Sequence, residues 1–536
     1  MEFRITFAQL NLTVGDIENN TQKIINAIKS QGKKIEPGIV VFPELTISSY
    51  PPEDLLFRPT FIQRIDKALQ KIIDFTEKNY IIVGYPKFYN NRLYNACSVI
   101  HNKQIIATYH KQILPNYSVF DEKRYFESGT KPCLFDIGNT KAAITICEDI
   151  WQTGPVEQAA ECGAQFLFNL NASPYHRNKL ATRENIVKER AQNNRLPIAY
   201  VNLVGGQDEL IFDGNSMLVD QNGNIIFHAP QFEEGLYSFE FDLKSTNESV
   251  SITKSTDEEI IYKALCMGVR DYVYKNNFNG VVIGLSGGID SALTTAIAVD
   301  SLGAENVEVL IMPSRYTAQM SIDDAVEQAN LLKIKHETIS IEPTFKSFLD
   351  SLASRFSDLP EDITEENIQA RCRGLMLMAV SNKTGKLLLT TGNKSEMAVG
   401  YATLYGDMCG GFAPLKDVWK TMVYKLARWR NQQNLVIPEN IITRPPSAEL
   451  REDQVDQDSL PDYDSLDAIL EKYIELDMSP GKIAEEGFDS EIVDKIARLV
   501  DKNEYKRRQA APGVRITQRA FGRDRRYPIT SGYLEV

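Results

Sequence analysis

The chain has 536 residues, 43% of them hydrophobic and 24% charged, with 59 Lys plus Arg against 72 Asp plus Glu and a formal charge of −13. Such a composition is that of a globular protein with room for more than one domain, and its acidity argues against a protein whose main task is to hold nucleic acid. No run approaches the ~18 apolar residues of a membrane span, and the seven scattered cysteines, without a C-x-x-C, provide neither zinc-ligand spacing nor a disulfide framework.

The chain begins MEFRITFAQL, an apolar strand pattern with no charged leader or apolar h-region before it, so a reducing cytoplasm is the expected compartment. Over the first 240 residues short β-rich runs (GIVVFPE, YIIVGYP, NACSVIH, QIIATYH, KAAITIC, QFLFNLN, PIAYVNLVG, NSMLVD) alternate with amphipathic segments such as IENNTQKIINAIKSQ and KLATRENIVKERAQNN. Strands alternating with helices predict a layered α/β unit. Three polar residues each close an apolar run: Glu44 ends GIVVFPE, Lys111 ends QIIATYHK and Cys147 ends KAAITIC. Ligand sites of α/β folds assemble at the carboxyl ends of strands. Alone, each residue reads as packing or surface charge. Together they are a nucleophile, a base to take its proton and a cation for the oxyanion. Only five histidines are present, so the general base is expected to be a carboxylate.

The local contexts of these three, FPEL at 42–45, HKQILP at 110–115 and CED at 147–149, resemble the nitrilase (carbon–nitrogen hydrolase) superfamily over residues 1 to 240. The resemblance implies an α-β-β-α sandwich over 1–245 and a Glu44–Lys111–Cys147 triad, with Glu122 as a second carboxylate supporting Lys111. From the nitrilase-like glutaminases it also implies that Tyr117, Ser173 and Lys179 hold glutamine.

Residues 243–257, LKSTNESVSITKSTD, are polar and rich in Ser and Thr, and 246–257 is the expected linker. A second α/β pattern follows over 258–536. Its centre is VVIGLSGGIDS, 281–291: an apolar strand, a glycine turn and an apolar-periodic helix. Backbone N–H groups in such a turn, at the positive end of a helix, suit phosphate. Gly287 and Gly288 let the backbone close on an anion, Ser286 and Ser291 add hydroxyls, and Asp290 offers a carboxylate to a magnesium ion. No Lys follows the glycines, so this is not a Walker loop. The pattern S-G-G-x-D-S resembles the loop of the ATP pyrophosphatases, which implies a Rossmann-like parallel sheet, ATP contacts over Gly284, Leu285, Ser286, Gly287, Gly288, Ile289, Asp290 and Ser291, and cleavage of ATP between the α and β phosphates. Further on, an acidic stretch, Arg451 to Asp467, reads as a solvated loop, and the tail from Lys506 is basic.

An amide hydrolase joined to an adenylating domain implies glutamine-dependent amide synthesis. The domain order resembles the glutamine-dependent NAD⁺ synthetases over nearly the whole chain. That resemblance implies ATP, glutamine and deamido-NAD⁺ as small-molecule partners, Mg²⁺ held by Asp290 and Glu396, an ATP contact from Thr391 and deamido-NAD⁺ contacts from Asn367, Glu396 and Lys506. It also implies an enclosed ammonia route between the two sites and a homo-oligomer. Three rivals are weaker. Other amidotransferases with the same loop use a Cys-His-Glu triad or an N-terminal Cys, whereas residue 2 is Glu; tRNA-modifying relatives predict a basic domain or paired Cys; a non-catalytic scaffold predicts a degenerate triad.

Overall fold

The computed structural model describes residues 2–30, 38–243, 255–452, 454, 456–458, 460–533 and 535. Most of the expected linker, residues 246–254 of 246–257, lies outside the described residues. The chain divides into two compact units, Met1–Lys254 and Ser255–Val536. Among the described residues no helix is long and apolar enough to cross a membrane.

Among the described residues the first unit has fourteen strands: β1 (Glu2–Gln9), β2 (Gly38–Val41), β3 (Tyr80–Tyr89), β4 (Arg92–His101), β5 (Gln104–His110), β6 (Cys133–Ile137), β7 (Thr140–Ile146), β8 (Phe166–Asn171), β9 (Ile198–Asn202), β10 (Val204–Gln207), β11 (Leu210–Asp213), β12 (Met217–Val219), β13 (Ile225–His228) and β14 (Gly235–Asp242). Its helices are α1 (Ile17–Ser30), α2 (Pro59–Phe75), α3 (Pro155–Glu161) and α4 (Lys179–Asn194). Two six-stranded sheets form, ordered β14-β1-β2-β3-β4-β5 and β13-β12-β9-β8-β7-β6, and β10 and β11 make a separate hairpin.

The period of two in a strand decides the layering. In β2, Ile39 and Val41 enter a core shared with Ile82, Ile144, Phe166 and Phe168, between the sheets. The intervening Val40 joins Ile24 of α1 and Ile65 of α2 on the outer face. In β8, Leu167 likewise turns away from the sheet–sheet core, toward Val156 of α3 and Val187 of α4. Strands apolar on both faces thus produce the α-β-β-α sandwich expected from the sequence.

The second unit is a parallel sheet of β15 (Val281–Gly284), β16 (Val307–Ile311), β17 (Lys335–Thr338) and β18 (Leu387–Leu389), ordered β17-β16-β15-β18. Among its helices are α5 (Asp257–Lys275), α6 (Ile289–Leu302), α7 (Gln319–Leu331), α8 (Glu342–Leu352), α9 (Ile363–Thr384), α10 (Lys394–Val399) and α11 (Lys420–Gln433). Thr256 caps α5 through its side chain to the Glu259 N–H, so helix begins inside the segment read as linker. Val282, Leu310 and Leu388 face Phe345 of α8 and Ile368 and Leu377 of α9. The chain runs from β15 outward through β16 and β17, then returns to β18 on the other side of β15. That reversal opens a crevice at the carboxyl ends of β15 and β18, the place where open α/β sheets bind ligands.

Candidate active sites

In the first unit, Glu44, Lys111, Cys147 and Glu122 are all buried. Each triad residue sits just past a strand end, after β2, β5 and β7. Lys111 Nζ donates to Glu44 Oε1 at 2.7 Å and to Glu122 Oε1 at 2.8 Å. Glu44 Oε1 also accepts from Asn95 Nδ2 at 2.7 Å, its Oε2 accepts the Ala172 N–H at 3.0 Å, and Tyr50 Oη donates to Glu122 Oε1 at 3.0 Å. Cys147 opens a one-turn 3₁₀ helix, Cys147–Ile150, with φ +45. A non-glycine residue there is held by its surroundings, and such positions cluster at functional sites.

Burial pushes the Cys147 thiol well up, Glu44 adds to this and Lys111 opposes it. The resting sulfur is therefore a thiol that must give up its proton during reaction. Burial alone would pull Lys111 down, but Glu122 and Glu44 outweigh it and hold the ammonium well above an ordinary lysine. Burial raises Glu122 to about 7 against the pull of Lys111. Below that pH Glu122 gains a proton, and a negative charge that helps to hold the Lys111 ammonium is lost. Glutamine hydrolysis is therefore expected to fall as pH drops through about 7. Glu122→Gln fixes the neutral form, so it should lower glutamate release by ~10–10²-fold and remove that acid limb, read by glutamate release against pH.

Of the three residues expected to hold glutamine, Tyr117 and Lys179 meet residues of the Cys147 turn, and Ser173 follows Ala172, whose N–H meets Glu44. Tyr117 Oη donates to Glu148 Oε2 at 2.9 Å, beside the nucleophile. Lys179 opens α4 with Nζ 3.8 Å over the ring of Trp151, which ends the Cys147 turn. Ser173 follows β8, and the buried Arg183, paired with Asp213, reaches its carbonyl and hydroxyl at 3.3 Å.

In the second unit a cavity of about 310 Å³ fills the crevice, walled by Gly284–Ser286 and Gly288–Ser291 after β15, by Leu310–Pro313 after β16, and by Leu389, Thr391 and Glu396 after β18. Gly287 is not among the lining residues. Its φ is +79, and a Cβ there would lie 2.3 Å from the Ser321 carbonyl oxygen. Its own carbonyl accepts from Arg444 Nη2 at 2.6 Å. Gly287→Ala is therefore expected to distort the loop and lower ATP-dependent synthesis by about 10²-fold, measured as AMP formation. Ser291 Oγ donates to Gly288 O at 3.0 Å and accepts the Ser286 N–H at 3.2 Å, bracing the loop from within.

Asp290, in the first turn of α6, accepts from Asn393 Nδ2 at 2.9 Å and from Lys420 Nζ. Lys420 also lies 3.5 Å from Glu396 Oε1. Burial, with Asp290 next, raises Glu396 to about 8. Asn393 caps α10 through Glu396 N while Glu396 answers to Asn393 N, so the N-K-S-E spacing is a capping box that fixes the carboxylate's position. Sequence reasoning missed Lys420. A lysine 130 positions after Asp290 has no local signal, although in the fold its ammonium lies between the two carboxylates. Arg444 and Asp456, also cavity residues, were missed for the same reason.

Asn367 and Lys506 do not line this cavity. Asn367 Oδ1 accepts from Thr403 Oγ1 at 2.8 Å, and Lys506 Nζ donates to Gly400 O at 2.8 Å and Ala402 O at 2.9 Å. Both hold the 400–407 segment. Leu404 and Tyr405 of that segment, with Met378, Met408 and Gln509, wall a second hollow of about 480 Å³. The basic tail is spent internally, with Arg507 on Glu504 and Arg515 on Asp524. The acidic stretch is also not simply a solvated loop, because Asp456 and Asp467 are buried, and Asp467 accepts from Ser395 Oγ and the Thr421 N–H.

The sandwich with its Cys–Glu–Lys cluster and the parallel sheet with its glycine loop define a two-site α/β enzyme, an amide-cleaving unit joined to a nucleotide-binding one. Residues 4–249 match the carbon–nitrogen hydrolase family and residues 261–510 the NAD synthase family. The glutamine-dependent NAD(+) synthetase of Acinetobacter baylyi is 47% identical, covering 99% of each chain. That of Aquifex aeolicus is 45% identical, covering 99% of this chain and 100% of the relative. The solved structure of the Acinetobacter baumannii enzyme in complex with ADP superposes with a TM-score of 0.79 at 45% identity, covering 99% of this chain and 98% of that one. The chain belongs to the glutamine-dependent NAD⁺ synthetases.

Proposed function

We propose that the chain converts deamido-NAD⁺, ATP and glutamine to NAD⁺, AMP, pyrophosphate and glutamate. The observation that carries this reading is a buried Cys147–Glu44–Lys111 cluster in one unit and a glycine loop at the switch point of a parallel sheet in the other. Cys147 Sγ attacks the glutamine amide carbon while Glu44 takes the thiol proton, and Lys111 Nζ faces the oxyanion. Collapse expels ammonia, which leaves with the proton from Glu44. Water, deprotonated by Glu44, then cleaves the thioester, releasing glutamate and restoring the thiol. Tyr117, Ser173 and Lys179 hold the substrate.

In the second unit, residues 284–291 and Thr391 hold ATP. The deamido-NAD⁺ carboxylate attacks the α-phosphorus, the bond to the β-phosphate oxygen breaks, and an acyl-adenylate and pyrophosphate result. Ammonia adds to the acyl carbon and AMP leaves. Glu396 together with the segment braced by Asn367 and Lys506 binds deamido-NAD⁺. Among the described residues no three acidic, His or Cys groups cluster as a metal site. The two carboxylates Asp290 and Glu396, with a lysine ammonium between them, nonetheless suit a hard cation that keeps phosphate and water ligands. These two residues would hold Mg²⁺, which when bound supplies charge neutralisation on the phosphates. Free ammonia is mostly protonated and non-nucleophilic at neutral pH, which supports an enclosed route to the acyl-adenylate. A cytoplasmic, self-associating enzyme completes the reading, the latter checked by light scattering.

The chemistry is tested with deamido-NAD⁺ labelled with ¹⁸O in its carboxylate. One label should appear in AMP and none in pyrophosphate. Label absent from AMP would exclude the acyl-adenylate.

A further inference from the structure

Asp149, two residues after the nucleophile, is fully buried, and its carboxylate meets four donors. Its Oδ2 accepts the Ile146 N–H at 2.9 Å and Tyr109 Oη at 2.8 Å. Its Oδ1 accepts the N–H groups of Gln112 at 3.1 Å and Ile113 at 2.8 Å. Ile146 immediately precedes Cys147, Tyr109 stands two before Lys111, and Gln112 and Ile113 are the next two after it. Tyr109 belongs to β5 of one sheet and Ile146 to β7 of the other, so one carboxylate spans the sandwich between the strand ends that carry the lysine and the cysteine.

We propose that Asp149 is a positioning residue for glutamine hydrolysis, a four-donor clamp that sets the Lys111 loop against the Cys147 turn. The proposal rests on the reading of Cys147 and Lys111 given above. The chemistry of the clamp needs a carboxylate. Every one of its four partners is a donor, and two acceptor oxygens meet them all. An amide of the same shape replaces one oxygen by a donating NH₂, so two of the four partners lose their acceptor and face another donor whichever way it is turned. The Ile146 N–H is also the capping amide of the turn that Cys147 opens at φ +45.

The test is Asp149→Asn, with Tyr109→Phe as a milder variant that removes one donor and keeps the carboxylate. Glutamate release, ammonia-supported NAD⁺ synthesis and the rate of Cys147 alkylation by iodoacetamide against pH are measured in the full chain. For Asp149→Asn, kcat for glutamate release should fall about 10²-fold, the effect of a misplacement of roughly 1 Å, with KM for glutamine little changed. The alkylation midpoint should move to higher pH as Lys111 withdraws from the sulfur, while ammonia-supported synthesis is retained. Tyr109→Phe should shift both readouts the same way by a smaller factor. An unchanged alkylation profile and unchanged kcat in Asp149→Asn would overturn the proposal. If Asp149→Asn loses ammonia-supported synthesis as well, the fold is damaged and Tyr109→Phe decides, an unchanged profile overturning the proposal. Wild-type protein that alkylates at Cys147 yet releases no glutamate would overturn the glutaminase reading instead.

Discussion

Replacing Cys147 by alanine is expected to abolish NAD⁺ synthesis from glutamine and to leave synthesis from ammonium salts at mildly alkaline pH near the wild-type rate. The nucleophile is the only group of the first site that bonds to the amide carbon, and removing a nucleophile of this kind costs ~10⁴-fold or more. The loss should be confined to glutamine. The glycine loop, Asp290 and Glu396 all lie in the second unit, Ser255–Val536, and Cys147 in the first. Removing the buried sulfur at a turn wedged among Ile144, Ile146 and Leu170 leaves a small cavity, a cost of ~1 kcal/mol. Measuring NAD⁺ with each nitrogen source separates the two sites. Loss of both activities in a folded protein would contradict their division of labour.

Asp290→Asn is expected to have the opposite signature. Synthesis should fall with glutamine and with ammonia alike, by ~10³-fold, or about 4 kcal/mol of transition-state stabilisation. Asp290 lies in the first turn of α6, next to the loop proposed to hold ATP, and it is one of the two carboxylates proposed to hold the metal. The fold should survive, because Lys420 keeps Glu396 at 3.5 Å and an asparagine can still accept from Asn393. Glutamate release by Cys147 should persist. Full synthesis in Asp290→Asn would remove this residue from the ATP site.

Residues that close an apolar run were readable in the sequence, and those that arrive from a distance were not. Glu44, Lys111 and Cys147 each follow a strand whose hydrophobic run marks its own end, and the loop at 284–291 carries its glycines in register with strand and helix. Asn95, Tyr50 and Lys420 do equally direct work on the same groups, but Asn95 lies mid-strand in β4 and Lys420 opens a helix after a long loop, where spacing says nothing about which carboxylate they meet. The same holds for Lys506 and Asn367, whose side chains are engaged by the 400–407 segment and stand outside the first cavity. The strands β6 and β14 escaped the reading because CLFDI is short and GLYSFEFD is mostly half-buried or exposed at the sheet edge. The tail reads only as basic, because the pairing of Arg507 with Glu504 and of Arg515 with Asp524 is a matter of three-dimensional placement.

The central claim, that one chain couples glutamine hydrolysis to amidation of deamido-NAD⁺, is tested most directly by mass-spectrometric product analysis with Mg-ATP, deamido-NAD⁺ and glutamine labelled with ¹⁵N in its amide, in the presence of unlabelled ammonium. The account predicts NAD⁺, AMP and pyrophosphate in equal amounts, glutamate at least matching them, and ¹⁵N in the new amide in excess of its share of the free ammonia pool. NAD⁺ carrying only the isotope ratio of the free pool would contradict an enclosed transfer, and glutamate and AMP without NAD⁺ would contradict the claim itself.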